Sequence, residues 1–134
     1  MTMDRAGNFY GTTFQGTVFK MSRVGSGWVL TTLYMFQGGS DGARPASRAI
    51  FGPDGTLYGT TSQGGSNGFG TVLRLRPPTT VCRSASCPWT ESILHNFTGS
   101  DGAAPQLGDL VFDVAGNIYG TTSGGGSFWP GSSV

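Results

Sequence analysis

The phrase NFYGTT at residues 8–13 recurs as TLYGTT at 56–61 and as NIYGTT at 117–122. A short turn sequence, DRAG, GPDG or DVAG, precedes each copy. A phrase that recurs with most of its letters unchanged indicates one supersecondary unit used several times. The repeat therefore indicates the architecture of the chain, and each residue belongs to one position of the repeated unit.

Other phrases recur in the same order between these copies. The matched pairs are GTVFKM (16–21) with GTVLRL (70–75), WVLTTLYMF (28–36) with WTESILHNF (89–97), and SDGARP (40–45) with SDGAAP (100–105). Length changes fall between the phrases, where loops tolerate insertions. The phrases are therefore the scaffold of the protein.

Each phrase predicts a β-strand. The phrases are short, rich in β-branched and aromatic residues, and bounded by Gly, Pro, Asp, Asn and Ser. Strand a is predicted around residues 49–51 and 110–112, strand b at YGTT, strand c at GTV and strand d at the Trp-led phrase. Such units are typical of antiparallel propeller blades. We predict an all-β fold of four-stranded antiparallel repeat units, a partial β-propeller of about two and a quarter blades.

The strand order predicts how the units divide the chain. Residues 1–45 form a partial repeat with the end of strand a and strands b to d, and residues 46–105 form a complete repeat. Residues 106–134 form a second partial repeat, with strands a and b and the start of a Gly-rich loop. Propellers need roughly 4 to 8 blades, so we expect a fragment of a longer array. A self-contained β-sandwich is the alternative.

The phrases together resemble a known family. A GNxYGTT phrase, a GTV phrase, a Trp-led segment ending in Phe and an SDGAxP turn are similar to those of the bacterial "GloVer" tandem-repeat proteins, also described as choice-of-anchor proteins. The resemblance covers nearly the whole chain. It implies a β-propeller-like array that is secreted or attached to the cell surface, and it brings no catalytic residues with it. No signal peptide or anchor tail is recognisable, so the localisation is expected from the resemblance alone.

The composition limits the classes of partner. Charged residues make up 11% of the chain and the net charge is +1, which gives no electrostatic reason to expect nucleic acid. The apolar stretches have only the length of a strand, so no membrane span is expected. Remaining blades of the same array, a glycan or a cell-surface protein are the candidate partners.

Cys82 and Cys87 lie in the longest connection between strands c and d, PPTTVCRSASCP. Zinc needs about four ligands, and the only histidine, His95, occupies the position of Tyr34 in the preceding unit. We predict a local disulfide in an oxidising compartment and free thiols in a reducing one. No metal and no cofactor are expected.

Residues that every unit repeats are interpreted as structural. Asp41 and Asp101 are expected to cap the SDG turns through side-chain hydrogen bonds. Calcium would require about 6 to 8 oxygen ligands, and each turn offers one carboxylate. The repeated aromatic residues are Tyr10, Tyr58, Tyr119, Trp28 and Trp89. We assign the tyrosines to the core between units, with sugar stacking as the alternative.

No catalytic set is apparent in the sequence. His95 could serve as a general base, but no GxSxG elbow accompanies it and no repeated acid positions it. We interpret it as a half-buried packing residue on strand d. The predicted function is a non-catalytic extracellular or cell-surface repeat scaffold or recognition module with an unknown ligand. The alternative is part of a propeller enzyme, a polysaccharide lyase or hydrolase, whose active groups lie in other blades.

Any binding surface is predicted at the end where the b–c and d–a loops meet, because connections in an up-and-down blade alternate between its ends. These loops vary from unit to unit on a constant scaffold, which is where recognition is usually located. The candidate ligand-binding residues are Arg44, Phe69, Phe128 and Trp129.

Overall fold

The computed structural model describes residues 1–79, 88–106 and 108–127, and within them every regular element is a β-strand. The strands are β1 (Thr2–Met3), β2 (Phe9–Thr13), β3 (Thr17–Val24), β4 (Gly27–Met35), β5 (Ala43–Pro45), β6 (Ile50–Phe51), β7 (Leu57–Gln63), β8 (Thr71–Arg76), β9 (Thr90–Asn96), β10 (Val111–Phe112) and β11 (Ile118–Tyr119). The predicted all-β class is confirmed. None of the described residues belongs to a helix able to span a membrane.

Two sheets repeat one antiparallel order. The first runs β1-β2-β3-β4, which are strands a to d of one unit. In the second, β7 pairs with β8 on one side and with β5 and β6 on the other, and β9 pairs with β8. The register repeats as well, since Tyr10 faces Lys20 in the first sheet and Tyr58 faces Arg74 in the second. The predicted four-stranded antiparallel unit is confirmed, and β10 with β11 repeats its first hairpin.

Strand a of the second sheet is divided into two short segments. In β5, Pro45 lies opposite Thr61 near the far end of β7, whereas in β6 Ile50 lies opposite Tyr58. The segment β5 therefore pairs within the second sheet, although the predicted boundary after residue 45 assigns it to the first unit. The three unit boundaries and the closure into a propeller stay predictions.

An aspartate side chain organises the turn before strand b. In the first unit, Asp4 Oδ1 accepts hydrogen bonds from the backbone N–H groups of Ala6 and Asn8, both at 2.9 Å. Its Oδ2 accepts the Tyr10 hydroxyl at 3.0 Å. The equivalent bonds of Asp113 come from Ala115, Asn117 and Tyr119. The turn and the YGTT phrase are thus one hydrogen-bonded unit, which explains why they recur together.

The second unit builds the same turn differently. Gly52 stands where the other units have the aspartate, and Asp54 Oδ1 accepts the Thr56 N–H at 3.1 Å instead. A Cβ atom at Gly52 would lie 2.5 Å from the ring of Tyr58. The tyrosine ring therefore occupies the space in which an aspartate side chain would begin.

A β-bulge interrupts strand d at the same place in both sheets. Leu33 of β4 is the extra residue opposite the Val18–Phe19 step of β3. Leu94 of β9 is the extra residue opposite the Val72–Leu73 step of β8. A bulge bends the strand and increases its local twist. The alternation of residues in the Trp-led phrase did not predict this bulge.

A hydrophobic core lies between the first and second sheets. Its buried members are Tyr10, Val18, Leu33, Phe36, Ala49, Leu57, Leu73 and Leu75. Tyr10 packs edge-on against Phe51 with ring centroids 4.9 Å apart, and Trp89 lies 6.1 Å from Tyr10. Both sheets therefore contribute side chains to a single apolar layer.

The space between the second sheet and the β10–β11 hairpin forms an open groove. This inter-unit groove has a volume of about 400 Å³, and its lining includes Thr60, Val72, Leu94, Ile118 and Thr121. Between the first and second sheets, the corresponding space has a residual volume of about 10 Å³. The two junctions are equivalent in the repeat, and the described residues fill only the first.

Candidate functional site

The b–c and d–a loops meet at one end of the molecule. The b–c loop of the second unit comprises residues 64–70. It is hydrogen-bonded to the d–a turn of the first unit, because the Gly65 N–H donates to the Gly39 carbonyl at 3.0 Å. It is also bonded to the d–a turn of its own unit, where the Ala104 N–H donates to the Phe69 carbonyl at 2.9 Å. Neighbouring units therefore share a continuous loop surface that backbone hydrogen bonds fix in place.

A groove of about 520 Å³ opens in this loop surface beside the first unit. Phe14 forms one wall and is 67% exposed. The guanidinium carbon of Arg44 lies 5.2 Å from the centre of the Phe14 ring, which is cation–π geometry. Gln15 and Gln37 line the same space. We call these four residues and the space between them the Arg44–Phe14 groove.

The backbone of Arg44 has a left-handed conformation that belongs to the repeated turn. Its φ angle is 53°, and that of Ala104 at the equivalent position is 49°. The Arg44 carbonyl accepts a hydrogen bond from Ser62 Oγ at 3.1 Å, and the Ala104 carbonyl accepts one from Ser123 Oγ at 2.8 Å. Both turns have the same backbone conformation, so the positive φ angle of Arg44 is a property of the repeated turn and does not indicate a ligand. The side chain is what differs between the two units.

Phe69 lies at the loop end but outside the Arg44–Phe14 groove. A Cβ atom at Gly99 would be 3.2 Å from the Phe69 ring, so this ring rests on the d–a turn at the end of its own unit. The structure thus brings Arg44 together with Phe14 rather than with Phe69. The other predicted residues, Phe128 and Trp129 for ligand binding and Cys82 and Cys87 for the disulfide, lie outside the described residues.

The sequence pattern did not identify three residues of the groove, namely Phe14, Gln15 and Gln37. A signal for the first two was present, because FQ is the entire connection between GTT and GTV in the first unit. An apolar residue at the tip of so tight a hairpin cannot fold back into the core. The position of Gln37 beside it depends on the d–a turn, which no local pattern reveals.

The aspartates of the SDG turns each bind an aromatic side chain of strand d. Asp41 Oδ2 accepts the Gln37 N–H at 2.8 Å and the Tyr34 hydroxyl at 3.1 Å. Burial, together with this hydrogen bond, raises the pKa of Tyr34 to about 12. In the next unit His95 takes the place of Tyr34, and its Nε2 lies 2.7 Å from Asp101 Oδ2. Both turns are therefore fastened to the preceding strand.

The His95–Asp101 pair corresponds to this structural contact. Asp101 Oδ1 accepts the Thr98 N–H at 2.8 Å and the Thr98 hydroxyl at 3.0 Å. The hydrogen bond from the Thr98 N–H lowers the pKa of Asp101 most, and the side-chain bonds of Thr98 and His95 lower it further, so that it lies below its ordinary value. The His95 side chain is 50% exposed beside the inter-unit groove, and its ring packs edge-on against Phe97 with ring centroids 4.9 Å apart. Since Tyr34 makes the same contact, we assign the pair to the scaffold.

The repeated aromatic residues differ in their surroundings. Tyr10 and Tyr58 are buried, whereas Tyr119 is 55% exposed. Trp89 packs against the core between the two sheets, whereas Trp28 is 46% exposed. In the part of the chain that the structure describes, no three His, Cys, Asp or Glu side chains come together as metal ligands would.

Repeated antiparallel sheets, in which a capped turn joins strands a and b and an SDG turn follows strand d, define a protein of the all-β repeat class. The chain matches the Gloeobacter/Verrucomicrobia repeat family over residues 1–132, and it therefore belongs to that family. The resemblance that the YGTT, GTV and SDG phrases indicated is confirmed. No curated protein and no solved structure matches the chain.

Proposed function

We propose that this repeat module is a non-catalytic extracellular or cell-surface recognition protein, and that its Arg44–Phe14 groove binds an acidic glycan. The observation that supports the proposal is the exposed Phe14 ring with the Arg44 guanidinium 5.2 Å from its centre. An aromatic ring at the surface offers an apolar face to a sugar ring. The adjacent cation offers hydrogen bonds to a carboxylate, so one glycan residue could engage both.

The charge of Arg44 is available to a ligand. Among the described residues, Arg48 forms an ion pair with Asp109 and His95 Nε2 contacts Asp101 Oδ2, and Arg44 takes part in neither contact. A guanidinium presents planar donors that match the geometry of a carboxylate. Stacking on Phe14 limits the side-chain freedom of Arg44, which lowers the entropy lost when a ligand is bound.

The two glutamines give the groove a polar lining. Gln37 Nε2 donates to the Met35 carbonyl at 3.1 Å, which orients its amide oxygen as an acceptor for ligand hydroxyl groups. Gln15 is exposed and carries both donors and acceptors. An acidic sugar can contact all the groups in the groove: the aromatic face, the amides and the cation. An uncharged apolar ligand would contact only the aromatic face and would form no hydrogen bonds with the amides or the guanidinium.

Binding to polygalacturonate tests this proposal, with its methyl ester as the uncharged control. We expect Arg44→Ala and Phe14→Ala each to weaken binding of the acidic polymer by about tenfold or more, as for central interface residues. Arg23→Ala is the matched control, because Arg23 is an exposed arginine on β3 and does not line the groove. Its binding should equal that of the unmodified chain.

Two results would contradict the assignment of this groove. Equal losses for Arg44→Ala and Arg23→Ala would mean that binding follows overall charge. Equal binding of polygalacturonate and its methyl ester would mean that no carboxylate is recognised. Circular dichroism of each variant separates these outcomes from loss of the fold.

We also propose that the protein is secreted or attached to the cell surface, as the resemblance to choice-of-anchor proteins suggests. Fractionation of cells that produce the native protein tests the location. Protein from an oxidising compartment should show Cys82 and Cys87 as a disulfide, with an intact mass two hydrogens below that of the dithiol. Complete thiol labelling without reduction would exclude that disulfide.

A further inference from the structure

We propose that the inter-unit groove binds a β-strand of the GTV type, supplied by another repeat, which adds to the edge of β11. The occupant is an extended segment with a threonine and two inward-facing leucines, as in β8. This proposal concerns a different surface from the Arg44–Phe14 groove and does not depend on glycan binding.

The filled junction between the first and second sheets shows what the groove lacks. Thr12, Val18 and Leu57 line that junction at the positions that Thr60, Val72 and Ile118 take in the groove. The filled junction also contains Leu73 and Leu75 from strand c of the later unit, and both are buried. The groove has no counterpart of these leucines among its described lining residues, and its volume is about 400 Å³ rather than about 10 Å³.

The bulge residues give a second measure of the same difference. Leu33 is 2% exposed at the filled junction, and Leu94, its equivalent, is 42% exposed in the groove. Both occupy the extra position of the strand d bulge, so the local backbone does not explain the change. A strand that brought two leucines into the groove would bury Leu94 as Leu33 is buried.

One edge of β11, whose Ile118 lines the groove, has no partner strand in the part of the chain that the structure describes. In the first sheet β2 pairs with β1 and β3, and in the second β7 pairs with β6 and β8. Among the described residues, β11 pairs with β10 alone. An open strand edge accepts an extended peptide through backbone hydrogen bonds, while side-chain pockets select its sequence.

The repeat also predicts the register of the added strand. In the second sheet, Leu57 faces Leu75, Gly59 faces Leu73 and Thr61 faces Thr71. The equivalent residues near β11 are Ile118, Gly120 and Thr122. A leucine would therefore lie opposite Gly120, which has no side chain to obstruct it, and a threonine would lie opposite Thr122.

The peptide GTVLRLR, which has the sequence of residues 70–76, tests the proposal when it is titrated into the isotope-labelled chain. We expect saturable amide shift changes centred on Leu94, Ile118, Gly120 and Thr122. A control peptide with serine at both leucine positions retains the arginines, and it should bind at least about tenfold more weakly because it lacks the inward-facing anchors.

Two protein variants locate the binding site. Leu94→Lys should weaken peptide binding by about tenfold or more, because it places a charge in the groove. Leu30→Lys is the matched control, since Leu30 is an exposed leucine of strand d in the first sheet, and it should leave binding unchanged. Both leucines are exposed, so neither change should unfold the chain.

Several results would overturn the proposal. Equal binding of the serine peptide, or shift changes confined to other surfaces, would exclude recognition of a GTV strand by this groove. Self-association of the chain that Leu94→Lys abolishes, and with which the peptide does not compete, would also contradict strand addition. The groove would then be covered by the surface of a second copy of the chain.

Discussion

At the scale of single residues, the repeated phrases are constant because their members touch one another. A Cβ atom at Gly42 of the SDG turn would lie 2.5 Å from Thr61 Oγ1 of the YGTT phrase. Thr61 Oγ1 in turn shares a hydrogen bond of 2.9 Å with Thr71 Oγ1 of the GTV phrase. Gly102 stands in the same relation to Thr122. One close contact therefore joins phrases that are far apart in sequence.

We expect Gly42→Ala to destabilise the fold by about 2–4 kcal/mol, because it combines an unfavourable positive φ with overpacking against Thr61. Gly38→Ala is the matched control: its φ of 83° is also positive, but a Cβ atom there would meet nothing within 4 Å. It should lose only about 1 kcal/mol. Urea denaturation measures both, and equal losses would show that the contact with Thr61 adds nothing.

Glu91 makes stability depend on pH in a direction opposite to that of the turn aspartates. Burial, with a smaller effect of the nearby Asp41 carboxylate, raises the pKa of Glu91 from 4.5 to about 6. The folded state then binds the proton more tightly than the unfolded chain. This contribution to stability is complete below pH 4.5 and is lost as the pH rises through about 6.

We expect Glu91→Gln to be more stable than the unmodified chain at pH 7 by about 1 kcal/mol, a value reduced for partial solvent screening. Near pH 4 the difference should vanish, because both side chains are then neutral. The aspartates with lowered pKa, which lose stability as the pH falls, are common to both proteins and cancel in the comparison. A difference independent of pH would contradict this assignment.

At the scale of elements, the bulge in strand d is the feature that positions the units against one another. It places Leu33 in the core between the first and second sheets. It also precedes Tyr34 and His95, whose side chains fasten the SDG turns through Asp41 and Asp101. The extra residue of the bulge therefore affects both the packing of the core and the attachment of the SDG turns to strand d.

Leu33→Ala should destabilise the protein by about 2–4 kcal/mol, since it removes a buried side chain from a filled junction. Leu94→Ala changes the equivalent residue and should lose less than about 1 kcal/mol, because Leu94 already faces the open groove. Thermal or urea denaturation of the two variants gives the comparison. Losses of the same size would mean that Leu94 is covered in solution.

At the scale of the whole molecule, the two sheets depend on a shared core. Tyr10 of the first sheet packs on Phe51 and Trp89 of the second unit, and the Trp89 N–H donates to the Leu33 carbonyl at 2.8 Å. Neither sheet can separate without exposing these groups. The two sheets should therefore unfold in one transition.

Two single-tryptophan proteins test this cooperativity. Trp89→Phe with Trp129→Phe leaves Trp28 as a probe of the first sheet, and Trp28→Phe with Trp129→Phe leaves Trp89 as a probe of the second. In each protein we expect the fluorescence and circular dichroism midpoints in urea to coincide, as for a two-state transition. Separate midpoints within either protein would show that the sheets unfold independently.

Much of the fold is readable from local sequence. The alternation and turn residues around YGTT, GTV and the Trp-led phrase predict strands b, c and d because hairpins depend on neighbours in sequence. The Asp4 turn is local as well, since its acceptor contacts residues within six positions along the chain. The bulge at Leu33 was not predicted, because it depends on how strand d meets strand c and a core.

Repeated local patterns are sufficient to predict the class, the antiparallel unit and the family of this protein. They do not reveal that Arg44 lies over Phe14, that Gly42 rests on Thr61 or that Leu33 and Leu94 differ in exposure. Each of these facts depends on contacts between segments far apart in the chain. Such contacts depend on how complete units pack, and the local sequence is equivalent at both junctions, so it cannot predict which junction is filled.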